Sequence, residues 1–262
     1  MKESRSLFAS VLAIVALAIF IVPLTFYLFN RPRIPNVVLP VPNAYDTITR
    51  ASAATVSIPD DYGETDDVER LRNFIAGNGG ALSLIDQALR QECAIPVDYS
   101  GGQQALLDSA GVNRPASRML IAKARLAELE NDLGSAAVDY AKMLVLNSKM
   151  TNGGLLVHLS GAFAYERDAL ENLAQIIPKL TTAQRAPVKK LFDQAKRKPI
   201  DFGEIANRES TLRKLEYGTL RGTILSSATT NQTQFIDQTK AVDEQIMQLY
   251  ADAEAAFATP VP

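Results

Sequence analysis

The most apolar stretch of the chain is an uninterrupted run near its N-terminus. Residues 7–29, LFASVLAIVALAIFIVPLTFYLF, contain no charged side chain. About 20 apolar residues in a helix span a hydrocarbon core about 30 Å thick. A cleavable signal peptide has a shorter apolar core, of about 7–15 residues, followed by small residues, whereas bulky Tyr27, Leu28 and Phe29 end this run. The pattern therefore predicts a retained single-pass transmembrane helix, with the lipid bilayer as a partner through residues 7–29.

The charges beside this run predict its orientation. Lys2 and Arg5 lie in the tail at residues 1–6, while Arg31 and Arg33 follow the run, so the cations on the two sides nearly balance. Because positive charge is retained on the cytoplasmic side, the short cationic tail favours an N-terminus that stays inside. We expect a signal-anchor protein of the cell envelope whose remaining residues are extracytoplasmic.

A proline-rich stretch follows the apolar run. Residues 30–42 contain Pro32, Pro35, Pro40 and Pro42. Prolines at this density favour an extended chain without backbone donors. The stretch is interpreted as a stiff tether that holds the following domain off the lipid. The alternative is a proline-rich recognition motif, but only the spacing of Pro32 and Pro35 supports it.

In residues 43–262 the apolar positions recur at helical spacing. The clearest stripe predicts a helix at about 155–177, where Leu155, Leu159, Phe163 and Leu170 share one face. Further helices are predicted at 43–56 after an Asn43 cap, from Asp66, from Leu82 to about Ala94, and at about 116–131, 135–148, 202–226 and 232–257. Strict apolar alternation does not persist in any segment, so no strand is predicted.

The fold class predicted is all-α, with a non-repetitive helical array or bundle after the tether. Residues 116–148 resemble a tetratricopeptide hairpin superficially, but a shift of about 34 residues recovers no second copy. The helical domain has roughly 220 residues, enough for a substantial core. The charge of the chain is nearly balanced, with 27 Lys and Arg against 29 Asp and Glu, which argues against a nucleic-acid partner. A single cysteine excludes an intrachain disulfide.

Two side chains are candidates for chemistry because each is the only one of its type. His158 lies on the apolar stripe of the 155–177 helix, and Glu166 follows two turns later, so a buried His–Glu contact is possible. We predict a core or interface role for His158, with catalysis as the alternative, since a general base needs a positioned partner. Cys93 is predicted to end a helix as a small buried residue, without a local cation to activate its thiol.

Two charged runs and three glycine pairs are also interpreted as structural. The acidic run comprises Asp60, Asp61, Glu64, Asp66, Asp67 and Glu69; the basic run comprises Arg185, Lys189, Lys190, Lys196, Arg197 and Lys198. Calcium and an anionic lipid surface are the functional alternatives for these runs. Three glycine pairs predict turns between helices: Gly79–Gly80, Gly101–Gly102 and Gly153–Gly154. They match neither the GxGxxG dinucleotide-binding motif nor the Walker phosphate-binding loop. No catalytic, metal-binding or cofactor-binding residue is predicted, and no cofactor.

Three short stretches carry a family resemblance. They are NAYD at residues 43–46, ALRQECAIPVD at 88–98 and GGLLVHLSGAFAYERDAL at 153–170. Together with the anchor and the tether, they resemble single-anchor, mostly helical membrane proteins of planctomycete bacteria. That group has no assigned activity, so the resemblance implies the architecture and gives no site residues.

The sequence by itself assigns no biochemical activity. The hypothesis it favours is a membrane-tethered helical interaction or scaffold domain with a protein partner. The alternative is a membrane-anchored enzyme whose site is built from scattered acidic residues. A deep pocket with convergent carboxylates would favour the enzyme.

Overall fold

A computed structural model describes residues 2–35, 37–196, 199–219, 221 and 230–261. For residues 2–14, 30, 103 and 230–232 it describes the backbone alone. Within these residues the fold is all-α and non-repetitive, which confirms the prediction. The helices are α1 (Lys2–Asn30), α2 (Ala44–Ala53), α3 (Val68–Gly77), α4 (Gly79–Ala88), α5 (Gly102–Ala110), α6 (Arg114–Leu129), α7 (Leu133–Lys149), α8 (Leu156–Ile176), α9 (Thr182–Ala195), α10 (Phe202–Tyr217) and α11 (Thr230–Phe257). A 3-10 turn, Ile177–Lys179, follows α8.

Helix α1 covers the predicted transmembrane segment. Except for the half-buried Phe26, its described apolar side chains are exposed; Phe20, for example, keeps 76% of its surface accessible. In the part of the chain that is described, no helix combines the length and apolarity needed to cross a membrane. The side chains of residues 7–14, which begin the predicted span at 7–29, lie outside the described ones.

Helix α7 forms the centre of the domain. It packs against α6, α8 and α9, and its buried positions include the consecutive residues Leu144, Val145 and Leu146. A helix that is buried all round needs apolar side chains on every face. Ala136, Ala137 and Ala141 add small side chains that let its neighbours approach closely.

Several helix ends differ from the prediction. Helix α4 begins at Gly79, so the Gly79–Gly80 pair, for which a turn was predicted, lies in its first turn. Helix α3 is capped by Asp67, whose carboxylate accepts a hydrogen bond from the Arg70 N–H at 2.9 Å, and not by Asp66. Helix α4 ends at Ala88, well before the predicted end near Ala94. Helix α10 ends at Tyr217 because Gly218 has φ of +81°, although the sequence predicted helix to residue 226. Residues 220 and 222–226 of that prediction lie outside the described residues.

Helix α4 ends early because the segment after it is extended and bonded to two distant parts of the chain. The side chain of Asn43 donates to the Ala94 carbonyl at 2.8 Å, and the Ala44 N–H donates to the Glu92 carbonyl at 2.8 Å. On the other side, the Ile95 N–H donates to the Asn152 carbonyl at 3.0 Å. The three stretches that carry the family resemblance are therefore neighbours in the fold.

Gly153 completes this junction. Its φ is +81°, and a Cβ at this position would lie 3.2 Å from the Ile95 nitrogen and 3.4 Å from the Ile95 oxygen. A side chain here would meet backbone atoms that cannot rotate away, and L-residues rarely adopt this φ. Glycine is therefore required for the 92–95 segment to pack against the turn before α8.

The predicted tether contacts the helical domain. The Thr211 hydroxyl donates to the Arg33 carbonyl at 3.4 Å, and Val37 lies beside Gly153. Val38 and Pro40 line a cleft together with Lys149. The proline-rich stretch thus runs over the surface near α10 and the start of α8 before entering α2.

Candidate functional site at the start of helix α8

The first turn of α8 is capped by side chains from two helices. The Leu155 N–H donates to Nδ1 of His158 at 3.1 Å, and the Leu156 N–H donates to Oε1 of Glu209 at 3.0 Å. The Arg208 guanidinium donates to the Gly154 carbonyl at 3.3 Å. Free N–H groups at a helix start require acceptors, and a carboxylate there also suits the helix dipole. Adjacent residues of α10 thereby fix where α8 begins.

His158 also forms a pair with a serine. Its Nε2 lies 2.9 Å from the Ser109 hydroxyl oxygen, and that hydroxyl donates to the Leu106 carbonyl at 2.8 Å. A serine and a histidine at this distance resemble the nucleophile and base of a hydrolase. The direction of the hydrogen bonds decides whether they can act as one.

The direction of both bonds gives the same tautomer. Nδ1 of His158 accepts a backbone N–H and so carries no proton, which places the proton of the neutral ring on Nε2. The Ser109 hydroxyl already gives its own proton to the Leu106 carbonyl, so it accepts from Nε2. A general base must offer a lone pair to the nucleophile's proton, and His158 offers an N–H. The pair is arranged for capping.

Burial keeps the His158 ring neutral. Only 3% of its surface is exposed, and desolvation lowers the pKa of His158 from 6.5 to about 4. Both ring nitrogens are occupied, by Leu155 and Ser109, so neither is left for the contact with Glu166 that the sequence suggested. Sequence reasoning missed Ser109 and Glu209 because both lie far from His158 along the chain and neither belongs to a local motif.

Cys93 is a buried thiol in the extended segment after α4, whereas the sequence placed it at a helix end. Burial raises the pKa of the Cys93 thiol to about 11. Its sulfur lies 4.0 Å from that of Met150. The protonated thiol is a weak nucleophile, so its environment suits packing.

The acidic run fixes a loop to the helices. Asp61 pairs with Arg70 at 3.0 Å, Asp66 pairs with Arg125 of α6, and Asp67 caps α3. In the described ranges, no three His, Cys, Asp or Glu side chains are placed to hold a metal ion.

The basic run is divided between the core and the surface. Arg185 is buried and donates to the carbonyls of Thr259 at 2.6 Å and Phe257 at 3.4 Å, so it caps the end of α11. Lys189 pairs with Asp193 at 2.5 Å, and Lys196 pairs with Glu254 at 2.7 Å. Arg197 and Lys198 lie outside the described residues. Arg185 therefore does not contribute to a surface for anionic lipid, the functional alternative for this run, because its guanidinium satisfies helix carbonyls inside the domain.

Two carboxylates line a cleft of about 390 Å³ between the α6–α7 turn and α9. Asp139 is 2% exposed, and its carboxylate accepts from Lys123 at 2.9 Å. Burial raises the pKa of Asp139, and the nearby Lys123 opposes this change. Asp132 accepts from the backbone N–H of Ser135 at 3.0 Å and so caps α7. Both acids are therefore engaged in structural bonds.

A second concave surface lies between α8 and residues 235–246 of α11. This groove, of about 320 Å³, is lined by Ser160, Phe163, Ala164, Arg167, Phe235, Gln238, Thr239, Val242, Gln245 and Ile246. Phe235 and Val242 remain 45% and 39% exposed. Among these lining residues only Arg167 is charged. The groove is an apolar surface of the domain that is open to solvent beside a pair of helices.

Comparison with protein-family models, with curated proteins and with solved structures finds no match to this chain. The function is therefore interpreted from the chemistry of its own surfaces. Two features bear on the function: the capped start of α8, where Nε2 of His158 carries the proton, and the apolar groove between α8 and α11.

Proposed function

We propose that this chain is a membrane-tethered helical interaction domain, which binds a protein through the groove between α8 and α11. The observation that carries this proposal is the exposure of Phe235 and Val242 beside the groove. Exposed apolar side chains grouped along a concave helix pair are typical of helix-in-groove recognition. The ordered polar pair of the domain, Ser109 and His158, has the wrong tautomer for catalysis.

The tether to the membrane rests on the full sequence of α1. Residues 7–29 lack charge, and the helical backbone continues from Lys2 to Asn30. A helix of this extent exceeds a hydrocarbon core about 30 Å thick. Most of the described apolar side chains of this helix are exposed, as expected for lipid-facing positions. Lys2 and Arg5 before the span favour an extracytoplasmic domain.

The anchor is tested by placing a charge in the span. Leu17→Arg should weaken membrane insertion, because arginine at the centre of a span costs about 2.5–3.5 kcal/mol. Alkaline carbonate extraction of membranes should leave the wild-type chain in the pellet and release more of the variant. Ser57→Arg, in an exposed loop of the domain, is the matched control. A wild-type chain that is fully extracted would contradict the proposed anchor.

The binding role is tested by site-specific photo-crosslinking in intact membranes. A benzophenone amino acid replacing Val242 should crosslink to protein, since this position lines the groove. The same probe replacing Glu244 is the control, because two residues correspond to about 200° around a helix. Equal crosslinking at the two positions, or none at Val242, would overturn the proposed binding surface.

The cleft with Asp132 and Asp139 supports the anchored enzyme as a second candidate. Its volume of about 390 Å³ suits a small ligand, and two carboxylates line it. Asp139→Asn removes the charge at nearly constant volume and tests this candidate. Under the enzyme hypothesis this change eliminates a ligand-induced rise in melting temperature that the wild type shows in a small-molecule screen. Under the favoured proposal no such ligand is found.

A further inference from the structure

The proline-rich stretch at residues 30–42 has one side against the domain and one side in solvent. Val37 lies beside Gly153, and Pro40 lines a cleft of the domain. Four aliphatic side chains of the stretch are exposed, and we call them the aliphatic face: Ile34, Val38, Leu39 and Val41. Val38 and Val41 keep 83% and 98% of their surface accessible. Single exposed apolar residues are ordinary on a protein, whereas a group of them indicates a contact surface.

Hydrogen bonds hold this stretch to the domain on both sides of the aliphatic face. The Thr211 hydroxyl of α10 donates to the Arg33 carbonyl at 3.4 Å, and the Asn43 side chain donates to the Ala94 carbonyl at 2.8 Å. Leu215 follows Thr211 by about one helical turn, and its exposed side chain continues the apolar surface onto α10. The aliphatic face is therefore part of the surface of the domain.

The charges beside the aliphatic face suit lipid phosphates. Residues 30–42 contain Arg31 and Arg33 and no acidic residue, although the whole chain has 29 Asp and Glu against 27 Lys and Arg. Both arginines are exposed. Segments that combine aliphatic side chains with cations bind at the boundary between lipid headgroups and acyl chains.

The position of the stretch in the chain favours lipid over a protein partner. Residue 30 directly follows the apolar run at 7–29, for which a transmembrane anchor is proposed. Arg33 is four residues beyond Phe29, so at most about 14 Å of chain separates it from the hydrocarbon. The headgroup region on each side of a bilayer is about 5–8 Å thick. The part of α10 that binds Arg33 therefore lies within reach of the headgroups.

We propose that the aliphatic face lies in the membrane interface, so that the domain rests on the phospholipid surface along residues 30–42. The aliphatic side chains enter the boundary with the acyl chains, and Arg31 and Arg33 contact lipid phosphates. This inference rests on the proposed anchor and is independent of the groove between α8 and α11. A stretch that held the domain off the lipid would instead carry Val41 about 37 Å from the end of the span, since an extended proline-rich chain advances about 3.1 Å per residue.

The fluorescence of a single tryptophan tests the inference, because the chain has no native tryptophan. The full-length Val41→Trp chain is incorporated into nanodiscs of phosphatidylcholine and phosphatidylglycerol, with and without brominated acyl chains. Bromine quenches tryptophan only at short range, so the emission should lose most of its intensity in brominated discs. Both faces of a nanodisc are open to water, so the orientation of the chain does not affect the result. Equal emission in the two kinds of disc would overturn the proposal.

Glu130→Trp is the matched control for this measurement. Glu130 is exposed in the turn before α7, whereas Lys149, at the other end of α7, lines the cleft with Val38. Helix α7 extends about 24 Å between these two ends. The control should therefore be quenched much less than Val41→Trp. Equal quenching at the two positions would show that the bilayer has no preference for the aliphatic face, which would contradict the proposal.

A second measurement avoids the preference of tryptophan itself for membrane interfaces. A charged, water-soluble maleimide should label Val41→Cys in nanodiscs more slowly than Glu130→Cys, because lipid shields the aliphatic face. Val41 is the more exposed of the two residues in the domain itself, so slower labelling reports the lipid. The native Cys93 contributes little background because it is buried. Labelling of Val41→Cys that is as fast as that of Glu130→Cys would refute the contact.

Failure of the anchor and failure of this contact give different results. A chain that elutes separately from the nanodiscs would overturn the anchor and, with it, the contact. A chain that elutes with the discs while the Val41→Trp emission is not quenched would retain the anchor and overturn the contact alone. Crosslinking from the groove between α8 and α11 is read independently of both.

Discussion

The backbone N–H of Leu155 donates a hydrogen bond to Nδ1 of His158 at 3.1 Å. That bond places the proton of the neutral imidazole on Nε2, which then donates to Ser109. A pair with the distance of a catalytic dyad is thereby a helix cap. Nδ1 of His158 caps the first turn of α8. Because its lone pair accepts this hydrogen bond, Nδ1 also determines the tautomer of the ring.

His158 should contribute to stability through these two bonds. His158→Ala should lower the free energy of unfolding by about 1–3 kcal/mol, because it leaves the Leu155 N–H without its acceptor in a buried site. His158→Gln should cost less, since glutamine at the third helical position can cap the same N–H. Chemical denaturation of the three proteins measures this order. An Ala variant as stable as wild type would refute the capping role.

The stability should also depend on pH through His158. Its pKa is about 4 in the folded chain and 6.5 when unperturbed, so the unfolded state binds the proton more tightly. This contribution is complete above an unfolded-state pKa of about 6.5 and is lost as the pH falls towards about 4, by up to about 3 kcal/mol. His158→Gln removes the dependence, and other titrating groups, such as Glu209, are common to both proteins. As the pH falls through that window, the difference in unfolding free energy between them should move in favour of His158→Gln by up to this amount; a constant difference would contradict the buried neutral ring.

Two causes should contribute to the loss of stability when Gly153 is replaced: the close contact of a Cβ with Ile95 and the strain of a positive φ. A control variant separates them. Gly153→Ala introduces a Cβ 3.2 Å from the Ile95 nitrogen at φ +81°. Gly218 has the same φ with nothing within 4 Å of the position that a Cβ would take, which makes Gly218→Ala a matched control. We expect the control to lose about 1–2 kcal/mol from strain alone and Gly153→Ala to lose more. Equal losses of stability in thermal denaturation would show that a Cβ beside the Ile95 backbone adds no cost to the backbone strain.

The ion pair with Lys123 should offset the cost of burying the Asp139 carboxylate. Its carboxylate is 2% exposed and lies 2.9 Å from the Lys123 ammonium. Lys123→Met leaves this buried charge unpaired and should cost about 2–3 kcal/mol. Lys189→Met is the control, because Lys189 is about as exposed as Lys123 and its partner Asp193 keeps 48% of its side-chain surface exposed. An exposed partner regains water, so the control should lose about 1 kcal/mol or less. Urea denaturation compares the two; a larger loss in the control would reverse this ranking.

The orientation is tested with sealed right-side-out membrane vesicles. Protease added outside should digest residues 43–262 if the domain is extracytoplasmic, as the cations Lys2 and Arg5 predict. The exposed acidic run lies in a loop that offers accessible cleavage positions. Protection that ends only when the vesicles are lysed would place the domain on the cytoplasmic side.

Helix positions followed from the sequence wherever local chemistry set them. The predicted cap Asn43 stands before α2, where its side chain accepts a hydrogen bond from the Tyr45 N–H. The stripe of Leu155, Leu159 and Phe163 predicted α8 because apolar residues at helical spacing have one stable way to be buried.

Only the tertiary structure decided the ends and the partners. The end of α4 at Ala88 depends on bonds to Asn43 and Asn152, which lie far away along the chain and leave no mark on local periodicity. The partner of Nε2 of His158 is Ser109 from α5, just as the acceptor for the Leu156 N–H is Glu209 from α10. The sequence by itself determined the all-α class and the apolar run at 7–29, because both express short-range spacing. What each polar group does was decided by long-range packing, since a hydrogen bond depends on which distant atoms the fold brings into contact.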